Sequence, residues 1–219
     1  MAISAPIQTV SNQGTGSTLA LTVSAPSNGN IVTMCVAVSA ISTGQVSSIT
    51  QTGVTWTKVV EGVNVSSEIE FWVGTGVSSA GTTATINFGS SVTAQAQFME
   101  FSGLRASPTD VSATSSGTNT TTVTMASVTS TNANDLIICA SVASSTNPLA
   151  SPTSSFTLSS DLTTAPHLSV CYRIVSSTGT YSTTLTFGPT PVSVQWATVS
   201  VALKGLSLSG GVVAGSFGW

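Results

Sequence analysis

The sequence predicts an all-β protein: a two-sheet antiparallel β-sandwich of jelly-roll type, with an internal pseudo-repeat and extended terminal arms. Three observations predict it. Apolar and polar residues alternate with period two in short runs, as half-buried strands require. Gly, Asn, Ser and Pro separate the runs. No window sustains the 3.6-residue spacing of a capped helix, so no long helix is expected.

The elements follow in chain order. Residues 1–16 form a polar N-terminal arm, and the sandwich is expected over 17–206. Residues 18–24 place Leu19, Leu21 and Val23 on one face of a strand. Ile31 to Ile41 is the longest apolar stretch; at about half of the roughly 20 residues that span a bilayer, and broken by Thr33 and Ser39, it predicts no membrane segment. Residues 82–88 alternate Thr82, Ala84, Ile86 and Phe88 with Thr83, Thr85 and Asn87, and residues 181–187 repeat that pattern with Tyr181, Thr183, Leu185 and Phe187. Arg105 to Thr121 is polar, with a Ser107-Pro108-Thr109-Asp110 turn, and reads as a joint that crosses between sheets.

The halves, 17–104 and 121–206, resemble each other. Gly29-Asn30-Ile31 through Cys35 matches Asn134-Asp135-Leu136 through Cys139. Phe71-Trp72-Val73 matches Val170-Cys171-Tyr172, Ile86 to Gly89 matches Leu185 to Gly188, and Gly103-Leu104 matches Gly205-Leu206. Each half therefore carries the same strands in the same order. Two small domains or two interlocked halves of one sandwich both satisfy this pattern. Halves so poor in aromatics would bury thin cores alone, which favours one domain.

Composition excludes several classes. Ser and Thr make up about a third of the 219 residues, while charged residues are 5%, against roughly 25% in an average soluble domain. Four basic residues cannot build a phosphate-tracking stripe, so no nucleic-acid partner is expected. A hydrophobic content of 41% argues against disorder. Met1 to Pro6 has neither a basic n-region nor an apolar h-region, which predicts either action without Sec export or a signal already removed and a start Met added. Cys35, Cys139 and Cys171, each inside an apolar run, read as buried free thiols.

The succession Gly29-Asn30-Ile31-Val32, Gly53-Val54-Thr55-Trp56-Thr57-Lys58, Ile69-Glu70-Phe71-Trp72-Val73, Ala80 to Ile86, Met99 to Leu104 and Asn134-Asp135-Leu136-Ile137 resembles a recurrent Ser/Thr-rich sandwich module. Modules of this appearance, concanavalin-A-like or jelly-roll, occur in phage virion proteins, of the capsid decoration or cement type among them, and in bacterial surface proteins. The resemblance spans residues 17–206, implies the fold, and transfers no site residue.

Candidate chemistry is sparse. Glu68-Ile69-Glu70-Phe71-Trp72-Val73 is similar to the Glu-x-Asp-x-x-Glu strand of jelly-roll glucanases. Glu68 and Glu70 share a face, yet Val73 stands where an acid/base carboxyl is needed. The two glutamates are expected on a solvated face. His167 is the one histidine and reads as a surface residue. Asp110, Asp135 and Asp161 are solitary, so no calcium loop is expected. The Asn64 and Asn119 sequons read as chance. Trp72 and Trp196 lie in core-like runs. Trp56, between Thr55 and Thr57, is the more exposed ring and the candidate glycan contact. No catalytic, cofactor or metal residue is expected.

The final segment, 207–219, carries no charge, and Leu208, Val212, Val213, Phe217 and Trp219 give it an apolar edge. Such an arm is suited to docking on a neighbouring subunit by strand addition or side-chain burial, or to adding one more strand to its own sheet. The expected function is a non-enzymatic structural virion protein on the capsid surface, decorating and cementing the shell. Its partners would be the major capsid protein and copies of itself, without nucleic acid or membrane. The alternatives are a lectin-like surface module binding glycan, extracellular or at a cell surface, and a donor-strand pilus or thread subunit.

Overall fold

The computed structural model describes residues 2–40, 42–64, 66–149, 152–188 and 194–206. The expected arm residues Leu208, Val212, Val213, Phe217 and Trp219 lie outside the described residues. No described residue is helical.

The first half contributes β1 (Gln8–Thr22), β2 (Ile31–Val38), β3 (Val46–Thr50), β4 (Thr55–Val63), β5 (Glu68–Thr75) and β6 (Thr83–Phe101). They form one antiparallel sheet in the order β1-β6-β2-β5-β4, with β3 also paired to β6. The second half contributes β7 (Leu104–Thr120), β8 (Thr122–Thr124), β9 (Val128–Ser130), β10 (Asp135–Ala143), β11 (Thr157–Leu162), β12 (His167–Val175), β13 (Gly179–Tyr181), β14 (Thr184–Thr186) and β15 (Val194–Gly205). Its sheet runs β7-β15-β10-β12-β11, flanked by the short pairs β8-β14 and β9-β13. Each half thus builds its own sheet, and the two orders are the same order. The two sheets pack together as one sandwich.

The stretch 105–121, expected to be a crossing loop, is the edge strand β7, paired with β15 over most of its length. Its polarity reflects an edge position rather than a turn. Residues 8–16 of the polar lead likewise belong to β1, which pairs with β6.

Three apolar layers result. Between the sheets lie Ile31, Phe71, Met99 and Phe101 of the first and Leu136, Ile138, Val199 and Val201 of the second. Outside the first sheet Met34, Trp72 and Phe98 pack with Ile49, Ile86 and Phe88. Outside the second, Ile137, Cys139 and Trp196 pack with Val123, Leu185 and Phe187. The central strands β2 and β10 are buried on both faces along their whole length. That is why they read as continuous apolar runs instead of alternating ones.

The repeat extends to individual bonds. Val23 N–H donates to Thr82 O and Met125 N–H to Thr183 O, both at 2.9 Å. Ser39 N–H reaches Thr93 O at 2.9 Å, and Ser144 N–H reaches Gln195 O at 3.0 Å. β4 bulges between Lys58 and Val60 against β5, and β11 between Leu158 and Ser160 against β12. One match made from the sequence is corrected. Cys35 lies between the sheets and Cys139 outside the second sheet, so they are not counterparts. A one-residue slip moves a strand residue to the opposite face. The counterpart of Cys139 is Met34: Met34 stands between Trp72 and Phe98, and Cys139 between Cys171 and Ser200.

Candidate functional site

The repeat brings polar residues to equivalent positions in both halves. On β5, Glu68 stands opposite Val38 and Glu70 opposite Val36. On β12, His167 stands opposite Ala143 and Ser169 opposite Ser141. One residue after the bulge, β4 supplies Glu61 and β11 supplies Asp161. Two triads follow: Glu61, Glu68 and Glu70 in the first half, Asp161, His167 and Ser169 in the second.

Glu68 and Glu70 are fully buried, not solvated as the alternation suggested. The loop entering β3 folds over them and supplies its amides. Gly44 N–H donates to Glu68 Oε1 at 2.6 Å and Gln45 N–H to Oε2 at 3.1 Å. Val46 N–H donates to Glu70 Oε1 at 3.0 Å, and the Trp72 indole N–H to Oε2 at 2.7 Å. Lys58 Nζ bonds Glu61 and lies 3.8 Å from Glu70. Burial, then the neighbouring Glu70 charge, pushes the Glu68 carboxyl up to about 7. Burial also raises Glu70, against the pull of its amide and indole donors and Lys58. Burial alone would lower Lys58, but the hydrogen bond to Glu61 and the surrounding carboxylates raise it.

Carboxylate oxygens of Glu61, Glu68 and Glu70 lie within 4.8 Å of one another, close enough to hold a cation in principle. The Lys58 ammonium already supplies the positive charge there. With their oxygens engaged by backbone amides, Glu68 and Glu70 act as loop anchors.

His167, expected at the surface, is fully buried. Its Nδ1 lies 2.8 Å from Ser145 O, and its Nε2 lies 2.5 Å from Asp161 Oδ1 and 3.1 Å from Ser169 Oγ. Ser169 Oγ donates to Asp161 Oδ1 at 2.5 Å, and Leu149 N–H donates to Oδ2 at 2.9 Å. The serine and the aspartate meet the same ring nitrogen, so the imidazole does not bridge them as a nucleophile relay would. Burial opposes ionisation of Asp161, but His167, Ser169 and Leu149 together hold its carboxyl below the usual range. Val46 and Leu149, whose amides reach these carboxylates, are themselves counterparts. Val46 pairs with Phe88, and Leu149 bridges Phe187, the equivalent of Phe88 in the second half.

The other carboxylates behave alike. Glu100, buried, accepts from Gln8 Nε2 at 2.6 Å, Ser27 N–H at 2.8 Å and Asn30 Nδ2 at 2.6 Å. Asp110 accepts from Thr131 N–H and Oγ1 and pairs with Lys204 at 3.3 Å. Burial opposes its ionisation, but these donors lower it. Asp135, fully buried, accepts from Asn132 Nδ2 at 2.9 Å. Burial pushes it up to about 6.

Trp72 and Trp196 are buried, as their apolar runs indicated. Trp56 is half-buried and packs edge-on against Phe98, ring centroids 6.2 Å apart, with its indole N–H buried and unbonded. Among the described residues, several shallow uncharged recesses lie on the sandwich, two of them along the edge strands β1 and β7. One, of about 210 Å³, is lined by Gln13, Gly14, Thr15 and Thr164; the other, of about 450 Å³, by Ser116, Gly117, Thr118 and Asn64. Sequence reasoning misses these because it recognises neither edge strand. Compared with family models, curated proteins and solved structures, the chain matches none.

Proposed function

We propose that the chain is a non-enzymatic structural subunit of a multi-copy assembly, of the capsid decoration or cement kind, which binds the shell's main subunit and copies of itself. One observation carries this reading: six of the seven carboxylates are spent inside the molecule, Glu61 being the partly exposed one. Glu68, Glu70, Glu100 and Asp135 are at most 1% exposed, and the side chains of Asp110 and Asp161 are 2% and 13% exposed. Each holds a loop or strand end. The exterior is charge-poor, with Lys58, Glu61 and Lys204 each about a third exposed, and packs in many copies with little like-charge repulsion.

The edge strand β1 adds support. It has neither charge nor proline over Gln8–Thr22, whereas edge strands are ordinarily guarded by such residues against pairing with other chains. Among the edges of the two large sheets, β4 carries Lys58 and Glu61, and β7 carries Arg105 and Pro108; the short β3 is uncharged like β1. The uncharged segment 207–219 supplies a donor by composition. Truncation after Leu206 tests the reading: the sandwich keeps its melting temperature and loses assembly. A truncated chain that still assembles removes the role given to that segment.

A saccharide-binding reading is favoured by the two uncharged recesses, whose amides and hydroxyls match sugar hydroxyls. Binding of neutral glycans, lost in Gly14→Trp and Thr118→Trp variants that keep the wild-type melting temperature, would establish it in place of the first.

A further inference from the structure

Cys139 on β10 and Cys171 on β12 are direct partners in antiparallel register. Their side chains therefore share a face, and both lie in the apolar layer outside the second sheet. Directly opposed residues of antiparallel strands have Cα atoms about 4.5 or 5.5 Å apart. Both values fall within the roughly 4.4–6.8 Å range of disulfides. The next residue across the rung, Ser200, donates its hydroxyl to Cys139 Sγ at 3.2 Å.

The repeat supplies an independent comparison. The counterpart rung in the first sheet is filled by Trp72, Met34 and Phe98. Here three small residues occupy the same positions, two of them thiols facing each other. Packing alone asks for bulk at this rung and does not ask for sulfur. Cys35 is set apart, in the layer between the sheets.

We propose that Cys139 and Cys171 are a cross-strand disulfide site, closed by a small-molecule or protein disulfide oxidant when the chain folds under oxidising conditions. One cysteine thiolate attacks the oxidant's disulfide, forming a mixed disulfide and releasing one oxidant thiol. The second cysteine thiolate attacks the mixed disulfide, closing the Cys139–Cys171 bond and releasing the other thiol. The pair loses two electrons and two protons, and the oxidant gains them. Both cysteines are fully buried in the folded chain, and contact with Cys139 together with burial raises the Cys171 thiol well above its ordinary value. The folded molecule therefore resists later oxidation, because the thiolate is the reactive form. The state of the pair records the compartment in which the chain folded. When closed, it staples β10 to β12, the strand that pairs with the Asp161 segment.

The test is to unfold the full chain in guanidinium with a reductant, then refold it in a mixture of oxidised and reduced glutathione. After alkylation quench, thiols are counted and intact mass is measured. One remaining thiol, hence one alkylated cysteine in place of three, is expected. The chain is then lighter than the fully alkylated reduced chain by two alkyl groups and gains one alkyl group less about 2 Da, the two hydrogens lost, over the unmodified chain. The Cys35→Ala chain refolded alongside should retain none. Three thiols after refolding, a mass gain from bound glutathione, or two thiols left in Cys35→Ala would each overturn it. The wild-type count stands even if the variant fails to fold.

Discussion

Glu68 and His167 occupy the same position in the two halves of the sandwich, one strand in from the bulged edge and opposite the end of the central strand. Each is fully buried, and each fastens the loop that leaves that central strand. The chemistry differs: a carboxylate receives amides in one half, and an imidazole meets a carbonyl and a carboxylate in the other. Burying such groups is tolerable only because each is paired.

Removing an anchor should therefore be costly. Glu70→Ala strips acceptors from Val46 N–H and the Trp72 indole, and Asp161→Ala strips them from Leu149 N–H, Ser169 and His167. Each substitution is expected to cost about 2–4 kcal/mol in urea unfolding, the range for orphaning buried polar groups. The triads share no partner, so the double variant should show the sum within about 0.5 kcal/mol.

Stability should fall as pH rises through neutrality. Glu68 and Asp135 hold their protons to about 7 and about 6 in the folded chain, above the values an unfolded carboxyl takes. Between those limits the native state binds more protons than the unfolded state, so its stability decreases with pH. Their contribution is complete below about pH 4. Asp110 and Asp161 are lowered; their contribution is present above about pH 4 and lost as pH falls below it. The melting temperature should peak near pH 4 and fall between there and about pH 7. Glu68→Gln, which cannot ionise, should flatten the alkaline side. An unchanged pH profile in Glu68→Gln would remove Glu68 as the source.

Glu100 ties the start of β1 and the turn before β2 to the end of β6 through Gln8, Ser27 and Asn30. Glu100→Ala should speed hydrogen exchange at Ser27 and in β1 while leaving β10 protected. Uniform acceleration across both sheets would show that this bond network is not local.

Gly117 lies under the Trp196 indole, where a Cβ would collide with the ring. Trp196 in turn donates its indole N–H to Thr120 at 2.7 Å. Gly117→Ala is expected to cost about 1–3 kcal/mol through forced repacking. Gly89→Ala, with open space around its Cβ position, should be near neutral by the same thermal melt.

Much of the fold was legible. Alternation at Leu19, Leu21, Ala84, Ile86 and Leu185 marked strands whose apolar faces the structure buries. The match of Phe71-Trp72-Val73 with Val170-Cys171-Tyr172 holds residue for residue. What escaped has physical causes. β7 reads as a loop because an edge strand can be polar and can carry Pro108. Glu68, Glu70 and His167 read as surface residues because alternation cannot distinguish solvent from a loop that folds over the same face. That loop reaches the two glutamates through the amides of Gly44, Gln45 and Val46, and backbone donors leave no mark in composition.

A charge-poor exterior that packs against copies and neighbours is the central claim, and sedimentation velocity of the full 219-residue chain tests it most directly. Multi-copy species are expected for the wild type, and single chains for Ser11→Lys/Ser17→Lys on the open edge of β1, with melting unchanged. A wild-type chain that sediments as a single copy at every concentration would contradict it.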